Sequence, residues 1–361
     1  MIQISLRFRS IHFWNHMLTG LIICCCLSGY VRSQDNLTWQ ARLQIKVPAE
    51  AKSLAYSPDG ARLAVGHANG QVSIWDSKTG ELQKLIDTRS QNVETVLFIP
   101  NGDRLITITK DDKARIWSVA DWKELASLEG ITPVSGLSPD GRLLVTQNPK
   151  HAIVLWDIST MKRTKQLGET GLDGALNINF TADGKRIAVV YQHKLNLIDP
   201  DTGKMNELPI RGKPQGMKVQ QTGKDTITMS LGSLDDDSAI VHRVIPSKSD
   251  SLLAVGRGWY GKPNFVDVWD YNTGKMIGRF KPKDDGALAQ LSFDNSLLAI
   301  GGANSVTIWS VSNRQQVASL KASLVYEDTA LAKGSSLFLF SPTAKELAVI
   351  DGSGLLIYVP K

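Results

Sequence analysis

Cysteine is almost absent from this chain of 361 residues, and its few copies are confined to one place. All three cysteines are consecutive, at positions 24 to 26. From residue 34 onwards there is none, which excludes disulfides, cysteine-ligated zinc and a cysteine nucleophile in that part of the chain. Any fold formed there is therefore stabilised without covalent cross-links through cysteine.

A long run of basic residues is also lacking. The formal net charge is +6, but residues 1–33 contain three arginines and no acidic residue, which leaves +3 on the remainder. No cluster of five or more Lys or Arg residues occurs. Because nucleic-acid binding normally needs a concentrated basic patch, we expect no nucleic acid among the partners of this protein.

A hydrophobic run long enough to cross a membrane comfortably is missing from the N-terminal region. The apolar stretch at residues 17–28 has twelve residues, and it follows two positive charges, Arg7 and Arg9. A membrane-spanning helix needs ~20 apolar residues. A short apolar stretch behind a positive segment is typical of an export signal.

The residues after this stretch support cleavage. Val31-Arg32-Ser33 fits the small-x-small pattern of a signal-peptidase site. We therefore predict a signal peptide at residues 1–33, cleavage before Gln34, and an exported domain at residues 34–361. The alternative is an uncleaved segment in which residues 17–28 anchor the protein to a membrane.

What the sequence does contain is one unit repeated six times: a hydrophobic run, a turn, a second hydrophobic run and a closing Trp-Asp pair or a variant of it. The units end at Trp75, Trp117, Trp156, Ile198, Trp269 and Trp309. Successive ends are 39 to 42 residues apart, except for the 71 residues between Ile198 and Trp269. A fixed period near forty residues indicates a repeat architecture.

The first unit predicts four short antiparallel strands. Residues 52–57 end at a Pro-Asp-Gly turn, residues 62–66 are apolar, residues 71–75 alternate in polarity, and residues 81–86 follow a second turn. One such sheet cannot bury both of its faces, whereas sheets stacked radially bury them against each other. We therefore predict an all-β fold, a β-propeller of four-stranded antiparallel blades.

These units resemble the WD-repeat β-propeller family, from about residue 39 to the C-terminus. The resemblance rests on the Ser-Pro-Asp-Gly turns and the Trp-Asp pairs, which lie at Ser57–Gly60, Ser138–Gly141, Trp75-Asp76, Trp156-Asp157 and Trp269-Asp270. It implies a disc that binds a protein or peptide partner through its loops, although a fold does not by itself establish a function.

The chain also departs from the family pattern. WD repeats often carry a Gly-His pair before the first strand and an Asp in the turn before the Trp strand, which together build a buried hydrogen-bond network. Here Asp112 is the one clear Asp in that turn, and Gly66-His67 lies elsewhere in its unit. We therefore expect the blades to depend on apolar packing more than on that network.

The long interval between the fourth and fifth units decides the number of blades. Residues 213–238 contain two strand-like segments but lack the length for two more strands. We interpret them as an inserted or degenerate hairpin, which gives seven blades; eight is the alternative. The last unit, residues 335–361, has three strands, and we expect residues 39–47 to supply its fourth and so remove an exposed edge.

Residues that could carry chemistry are few. His67, His151 and His193 fall near turns between second and third strands, where we interpret them as solvent-exposed; a shared metal or proton-transfer cluster is the alternative. Asp235–Asp237 lacks the alternating spacing of a calcium loop and is interpreted as a solvated acidic tip. Nucleophile-elbow, zinc-protease and phosphate-loop motifs are absent, so we expect no catalytic residue, metal or cofactor.

One segment stands out as a candidate partner site. Residues 257–265 replace the short turn of the first unit with what we interpret as a long loop, and the side chains predicted to bind there are Arg257, Trp259, Tyr260, Lys262 and Phe265. Aromatic and arginine side chains dominate binding hot spots. We expect Trp259 and Tyr260 to anchor the partner, with Arg257 and Lys262 as a polar rim; the alternative is that the loop covers a neighbouring blade.

Two functions follow from these observations. The first is a monomeric, exported, non-catalytic scaffold that binds a protein or peptide on its loop face and meets a membrane only if the signal segment is uncleaved. The alternative is a propeller enzyme, similar to quinone-dependent dehydrogenases or lactonases. Two or more His, Asp or Glu side chains converging in the central channel would favour the enzyme, and small or apolar lining residues would favour the scaffold.

Overall fold

The structure, a computed structural model, describes residues 38–361 with short internal gaps. The gaps are residues 168–176, 192–193, 209–216, 222–226, 232–239, 260–261, 283–287, 303, 323, 325–336 and 353. Thr38–Lys361 form one unit of contacts. Within the described residues, no helical segment has both the length and the hydropathy needed to span a membrane. The predicted signal segment at residues 1–33 and the alternative anchor at 17–28 lie outside the described residues.

Seven four-stranded antiparallel sheets make up the fold. In six of them the strands follow chain order, so neighbouring strands are joined by a turn. The first strands of successive sheets contact one another at most junctions, which places them at the centre of a ring and the fourth strands at its rim. The prediction of a seven-bladed β-propeller is confirmed.

The strands are numbered in chain order, and the first, β1 (Trp39–Lys46), belongs to the last blade. Blade 1 consists of β2 (Ala51–Tyr56), β3 (Arg62–His67), β4 (Gln71–Asp76) and β5 (Leu82–Asp87). Blade 2 consists of β6 (Val93–Phe98), β7 (Arg104–Thr109), β8 (Lys113–Ser118) and β9 (Glu124–Glu129). Blade 3 consists of β10 (Ser135–Leu137), β11 (Leu143–Gln147), β12 (Ile153–Asp157) and β13 (Lys162–Leu167).

Blade 4 precedes the long interval in the repeat. It consists of β14 (Asn177–Phe180), β15 (Ile187–Tyr191), β16 (Lys194–Ile198) and β17 (Met205–Glu207). A separate two-stranded sheet follows, made of β18 (Met217–Gln221) and β19 (Ile227–Leu231). Blade 5 then begins, with β20 (Ile240–Pro246), β21 (Leu252–Trp259), β22 (Lys262–Asp270) and β23 (Lys275–Phe280).

The last two blades complete the ring. Blade 6 consists of β24 (Leu288–Leu291), β25 (Leu297–Gly301), β26 (Ser305–Ser310) and β27 (Gln316–Lys321). Blade 7 takes β28 (Phe338–Phe340), β29 (Leu347–Asp351) and β30 (Gly354–Pro360) from the C-terminus and β1 from the N-terminus.

Strand β1 closes the ring as predicted. It pairs antiparallel with β30, from Trp39 opposite Pro360 to Lys46 opposite Gly354. The side chain of Ile45 is buried in the same core cluster as blades 6, 7 and 1. Because the two ends of the chain share one sheet, the ring is closed by hydrogen bonds and leaves no half-finished blade.

The interval between blades 4 and 5 holds an inserted hairpin, also as predicted. Strand β18 pairs antiparallel with β19, from Met217 opposite Leu231 to Gln221 opposite Ile227, and the pair forms no ladder with any other described strand. Strands of blade 4 contact β20 of blade 5 directly. The insertion therefore adds no eighth blade between them.

Each junction between blades is an apolar layer. In β3, Leu63 and Val65 pack towards blade 7, whereas Ala64 packs towards blade 2. Successive side chains of a strand point to opposite faces, and here both faces are covered. This double burial is why the second and third strands are nearly continuous hydrophobic runs in the sequence.

The tryptophans that close the repeats make specific polar contacts. Four of their indole N–H groups donate to a buried hydroxyl: Trp75 to Ser73 at 2.7 Å, Trp117 to Thr107 at 2.9 Å, Trp156 to Thr146 at 3.0 Å and Trp309 to Thr307 at 2.9 Å. The prediction that apolar packing outweighs a buried polar network therefore needs a correction. A reduced network persists, because a serine or threonine hydroxyl accepts the indole N–H.

In blade 1 this network extends to His67. The His67 Nδ1 lies 3.1 Å from the carbonyl of Ala49, and its Nε2 lies 2.7 Å from the Ser73 hydroxyl. Since a carbonyl only accepts, Nδ1 carries the proton, and Ser73 donates to Nε2 while accepting from Trp75. The prediction that His67 is solvent-exposed is wrong: it is fully buried, whereas His151 is exposed and His193 lies outside the described residues.

This buried histidine makes stability depend on pH. Burial lowers the pKa of His67 below its ordinary value of 6.5. Below pH 6.5 the unfolded chain therefore binds a proton that the folded chain does not, and stability falls as the pH drops. We expect the melting temperature of wild type to fall between pH 7.5 and pH 5.5 by more than that of His67→Gln, measured by circular dichroism.

The control for this prediction is His151→Gln, because His151 is an exposed turn residue. That variant should keep the wild-type pH dependence. An equal pH dependence in wild type and His67→Gln would contradict the assignment of a neutral, buried His67.

Candidate partner-binding face

The two faces of the ring differ in their connections. Antiparallel strands in chain order place the connections from first to second strand and from third to fourth strand on one face, which we call the turn face. Its connections are short in every blade; for example, residues 57–61, 99–103 and 138–142 link first to second strands. They use Pro and Gly at fixed turn positions.

The turns of this face contact one another around the ring. A Cβ added at Gly141 would lie 2.8 Å from Pro100 Cδ of the preceding blade, and one at Gly184 would lie 3.4 Å from Pro139 Cδ. Both glycines have positive φ, 72° and 69°. Neighbouring turns of the turn face therefore lie in contact at these two positions.

The opposite face carries the long connections, and we call it the hairpin face. It receives the links from each fourth strand to the next first strand, including residues 208–239 and 322–337. It also receives the turns between second and third strands, the longest hairpin of which is β21–β22. Connections that differ in length from blade to blade, on one face of a regular scaffold, are typical of a binding surface.

The β21–β22 hairpin is unusually long. Its strands have eight and nine residues, whereas the second and third strands of the other blades have five to seven. At ~3.3 Å per residue, three extra residues extend the hairpin by roughly 10 Å. Pairing continues to Trp259 opposite Lys262, with a bulge between Arg257 and Gly258. The predicted loop at 257–265 is therefore wrong in form, because most of these residues are strand.

The base of this hairpin contains a buried ion cluster. Asp267 on β22 is fully buried and accepts from two arginines: Arg257 Nη1 at 3.0 Å, and Arg279 Nε at 2.7 Å and Nη2 at 3.0 Å. The side chains of Arg257 and Arg279 are 1% and 19% exposed. Because β21, β22 and β23 each contribute one member, the cluster ties the three strands together where the hairpin leaves the ring.

Phe265 completes this base. Its ring is buried, with the Arg279 Cζ 4.5 Å and the Arg257 Cζ 5.5 Å from its centroid, and the Lys281 Nζ at 5.9 Å. Cations at these distances are attracted to the negative face of the ring. The cations and the carboxylate together fix the direction in which the hairpin projects.

The five residues predicted from the sequence therefore separate into two groups. Arg257 and Phe265 are buried at the base, so the prediction of Arg257 as an exposed polar rim is corrected. Trp259 and Lys262 end the two strands, and Tyr260 belongs to the connection between them. The side chains of these three lie outside the described residues, and their contact with a partner stays a prediction. The sequence signal that was missed is Asp267, a charged residue at a core position of the Trp strand.

The centre of the ring has a different chemistry. Among the described side chains of the innermost strands, Glu94 on β6 is the one carboxylate, and Lys52 on β2 and Arg243 on β20 are the cations. The described part of the chain contains no group of three or more His, Cys, Asp or Glu side chains placed to hold a metal ion.

Comparison with known proteins gives matches of the same architecture. Residues 30–101 match the family model of the Anaphase-promoting complex subunit 4 WD40 domain. Telomerase protein component 1 of Rattus norvegicus is 25% identical over 176 residues, 48% of this chain and 7% of that protein. U3 small nucleolar RNA-associated protein 7 of Saccharomyces cerevisiae is 29% identical over 140 residues, 38% of this chain and 25% of that protein.

A third relative is WD repeat and SOCS box-containing protein 1 of Xenopus tropicalis, 29% identical over 108 residues, 28% of this chain and 26% of that protein. The aligned parts thus span about a quarter or less of these relatives. The crystal structure of the Myceliophteria thermophila Cps50 (Swd1) β-propeller domain superposes with a TM-score of 0.66, covering 89% of this chain and 99% of that one at 15% identity, which shows the fold. With seven blades closed by their own termini, the molecule is a β-propeller. The family-model match and the WD-repeat relatives support a likeness of this chain to the WD-repeat β-propeller family.

Proposed function

We propose that this protein is an exported, non-catalytic scaffold that binds a protein or peptide partner through its hairpin face. The observation that carries this proposal is the β21–β22 hairpin, which extends beyond the strands of the other blades and has a buried ionic base. A rigid base lowers the entropy lost when the tip is ordered against a partner. Likeness to the WD-repeat family supports a role in protein–protein interaction.

The chemistry of the ring centre supports a scaffold more than an enzyme. A hydrolytic or redox site needs several polar groups that converge on one substrate position. The described side chains of the innermost strands offer one carboxylate, Glu94, and two cations, Lys52 and Arg243, among small, hydroxyl, amide and apolar residues. The proposal therefore places the interaction on the hairpin face.

The tip of the hairpin should dominate the affinity. We expect the double change Trp259→Ala with Tyr260→Ala to weaken partner binding by at least ~2 kcal/mol, about thirtyfold in Kd, as truncation of hot-spot residues does. The melting temperature should stay close to that of wild type, because the ionic base is intact. The measurement is affinity capture from the exported fraction, followed by titration of the captured partner.

The matched control is Phe293→Ala, which removes an aromatic side chain that is 50% exposed on the turn face. It should leave binding unchanged. If the double variant melts at a clearly lower temperature while the partner still binds with wild-type affinity, the tip has a structural role and the proposed contact is wrong.

Export is tested separately. We expect the natively expressed protein to begin at Gln34, because a short apolar stretch and a small-x-small pattern precede it. N-terminal sequencing of protein from the exported fraction measures this directly. A chain that starts at Met1 and is recovered with membranes would instead support the anchor at residues 17–28.

A further inference from the structure

Blade 4 differs from the other blades at the end of its third strand. The other six have an aromatic residue there: Trp75, Trp117, Trp156, Trp269, Trp309 and Tyr358. Blade 4 has Ile198, which lies opposite Ile187 as Trp117 lies opposite Leu105. The partner hydroxyl is missing too, because Val189 takes the strand position of Thr107 in blade 2 and Thr146 in blade 3.

A second departure follows two residues later. In five blades the residue at this position donates its backbone N–H to the turn between first and second strands: Ser77 to Ala61, Val119 to Asp103, Ile158 to Arg142, Tyr271 to Ser251 and Val311 to Ser296. Blade 4 has Pro200, which has no N–H to donate. Six blades have a turn between their third and fourth strands. Blade 4 is the one in which this turn makes no such hydrogen bond to the turn between first and second strands.

A cavity of about 700 Å³ lies between blades 3 and 4 on the turn face, and Pro200 is one of its lining residues. Ile198 does not line the cavity, but it packs in the same core layer as Leu155 and Phe180, which do. Leu143, Leu155 and Phe180 form its apolar floor. Leu155 and Phe180 are 3% and 6% exposed, so the cavity reaches the interior layer between the blades. Its volume falls within the range of small-ligand and side-chain pockets, ~300–1,000 Å³. We call this cavity the blade 3–4 groove.

The rim of the groove is acidic. Four aspartates line it, Asp140, Asp183, Asp199 and Asp201, against two lysines, Lys165 and Lys185. Lys165 is already engaged, since its Nζ donates to the backbone carbonyls of Pro200 and Asp201. The rim therefore favours a cationic occupant.

Three of these carboxylates, Asp140, Asp183 and Asp199, have a lowered pKa and are charged at neutral pH. Backbone N–H groups of Thr202 and Asp201 and the hydroxyl of Thr202 lower the pKa of Asp199. Partial burial raises the pKa of Asp140, but the bonds from the Ser138 hydroxyl and the Arg142 N–H outweigh it, so this pKa is also lowered. An occupant therefore meets fixed negative charge around an apolar floor.

We propose that the blade 3–4 groove is a second docking site, which binds a basic peptide segment of a partner protein by inserting an aromatic side chain that is flanked by Lys or Arg. The aromatic group packs on the apolar floor formed by Leu143, Leu155 and Phe180. The flanking cations pair with the aspartates of the rim. The site lies on the face opposite the hairpin tip.

The test uses a fluorescein-labelled pentapeptide, Gly-Lys-Trp-Arg-Gly with blocked ends, and fluorescence anisotropy at low salt. We expect it to bind the propeller domain at least tenfold more tightly than the peptide with Glu in place of Lys and Arg, and than the peptide with Ala in place of Trp. Binding should weaken as salt is added, because the rim is open to solvent.

Two variants assign the binding to the groove. Ile198→Trp with Val189→Thr restores the Trp–Thr pair of blades 2 and 3, and it should preserve the fold while weakening peptide binding at least tenfold. Asp140→Asn with Asp183→Asn keeps the side-chain acceptors of both turns and removes two charges, so it should weaken binding severalfold. The matched control, Asp59→Asn with Asp294→Asn, changes the same turn position in blades 1 and 6 and should leave binding unchanged.

Three results would overturn the proposal. The first is equal binding of the basic and acidic peptides to wild type. The second is unchanged affinity in both groove variants. The third is a dimer of wild type that is seen by analytical ultracentrifugation and is abolished in the variant Ile198→Trp with Val189→Thr. That result would assign the groove to a second copy of this chain. Trp259→Ala with Tyr260→Ala should leave the pentapeptide affinity unchanged, so a failure of the hairpin proposal is distinguishable from a failure of this one.

Discussion

Deletion of residues 38–47 should destabilise the propeller by several kcal/mol, a large share of the ~5–15 kcal/mol that stabilises a typical domain. The deletion removes the whole of β1 and leaves β30 as an unpaired edge. It also uncovers apolar surface at the junction of blades 7 and 1, where Ile45 and Val47 are buried. We expect a lower melting temperature and aggregation, because an exposed strand edge pairs with other chains.

A contact of β1 with blade 1 adds to this effect. Arg42 donates to the carbonyls of Lys78 and Ser77 at 2.8 and 3.0 Å and forms an ion pair with Glu346 at 2.9 Å. It therefore joins blade 7 to the adjacent turn of blade 1. Removal of β1 breaks the ring at this junction as well as the ladder within the blade.

Point variants separate burial from the ladder itself. Ile45→Asn places an amide in the core and should lower the melting temperature clearly, whereas Lys46→Asn changes an exposed neighbour and should have little effect. Thermal denaturation and size-exclusion chromatography measure both outcomes. A deletion variant that stays monomeric and melts at the wild-type temperature would show that β1 does not close the ring.

The period of the sequence predicts the blades because the second and third strands of a blade are buried on both sides. Leu63, Ala64 and Val65 are all fully buried, so the run of apolar residues that marks β3 has no exposed position to interrupt it. The seven-blade count follows from chain length: residues 213–238 can hold one hairpin, and β18–β19 is that hairpin. The fold was therefore predictable from spacing, turn residues and length.

Side-chain positions at the candidate site were less predictable. The segment from Arg257 to Phe265 lacks the regular alternation of a strand, and the pairing of Trp259 with Lys262 depends on a two-residue connection that the sequence pattern did not reveal. Burial of Arg257 depends on Asp267, ten residues later on the facing strand. His67 was missed for a similar reason, because its partners are distant along the chain: the Ser73 hydroxyl on β4 and the Ala49 carbonyl in the connection between β1 and β2.

The blade 3–4 groove was also not predictable from the sequence. The sequence reveals that Ile198 replaces the tryptophan of the repeat, but an isoleucine at that position could equally have been covered by larger neighbours. The packing shows that Ile198 is itself buried and that a cavity opens over Leu155 and Phe180 of the same core layer. A repeat that departs from the others in its closing residue, as Ile198 does, therefore indicates a blade whose junction differs from the rest.

The ion cluster below the hairpin gives the second large expected effect. Asp267→Ala should destabilise the protein by ~3–5 kcal/mol, as removal of one partner from a buried ion pair does. Arg257 is 1% exposed, so without the carboxylate its guanidinium loses its paired charge in a site where water does not replace it. Arg279 is 19% exposed and can turn towards solvent at a smaller cost. Chemical denaturation with urea measures the free energy of unfolding of wild type and variant.

Two further variants test whether this loss comes from removing the carboxylate of a buried ion pair. Glu207→Ala breaks the Lys194–Glu207 pair, whose side chains are about half exposed, and should have almost no effect because exposed ion pairs contribute little. Arg257→Met with Asp267→Leu removes both charges and fills the same space, and should recover most of the lost stability. Equal stability of Asp267→Ala and Glu207→Ala would contradict a buried role for Asp267. If Asp267→Ala folds but also weakens partner binding, while the Met–Leu variant restores stability without restoring binding, the cluster has the additional role of directing the hairpin tip towards its partner.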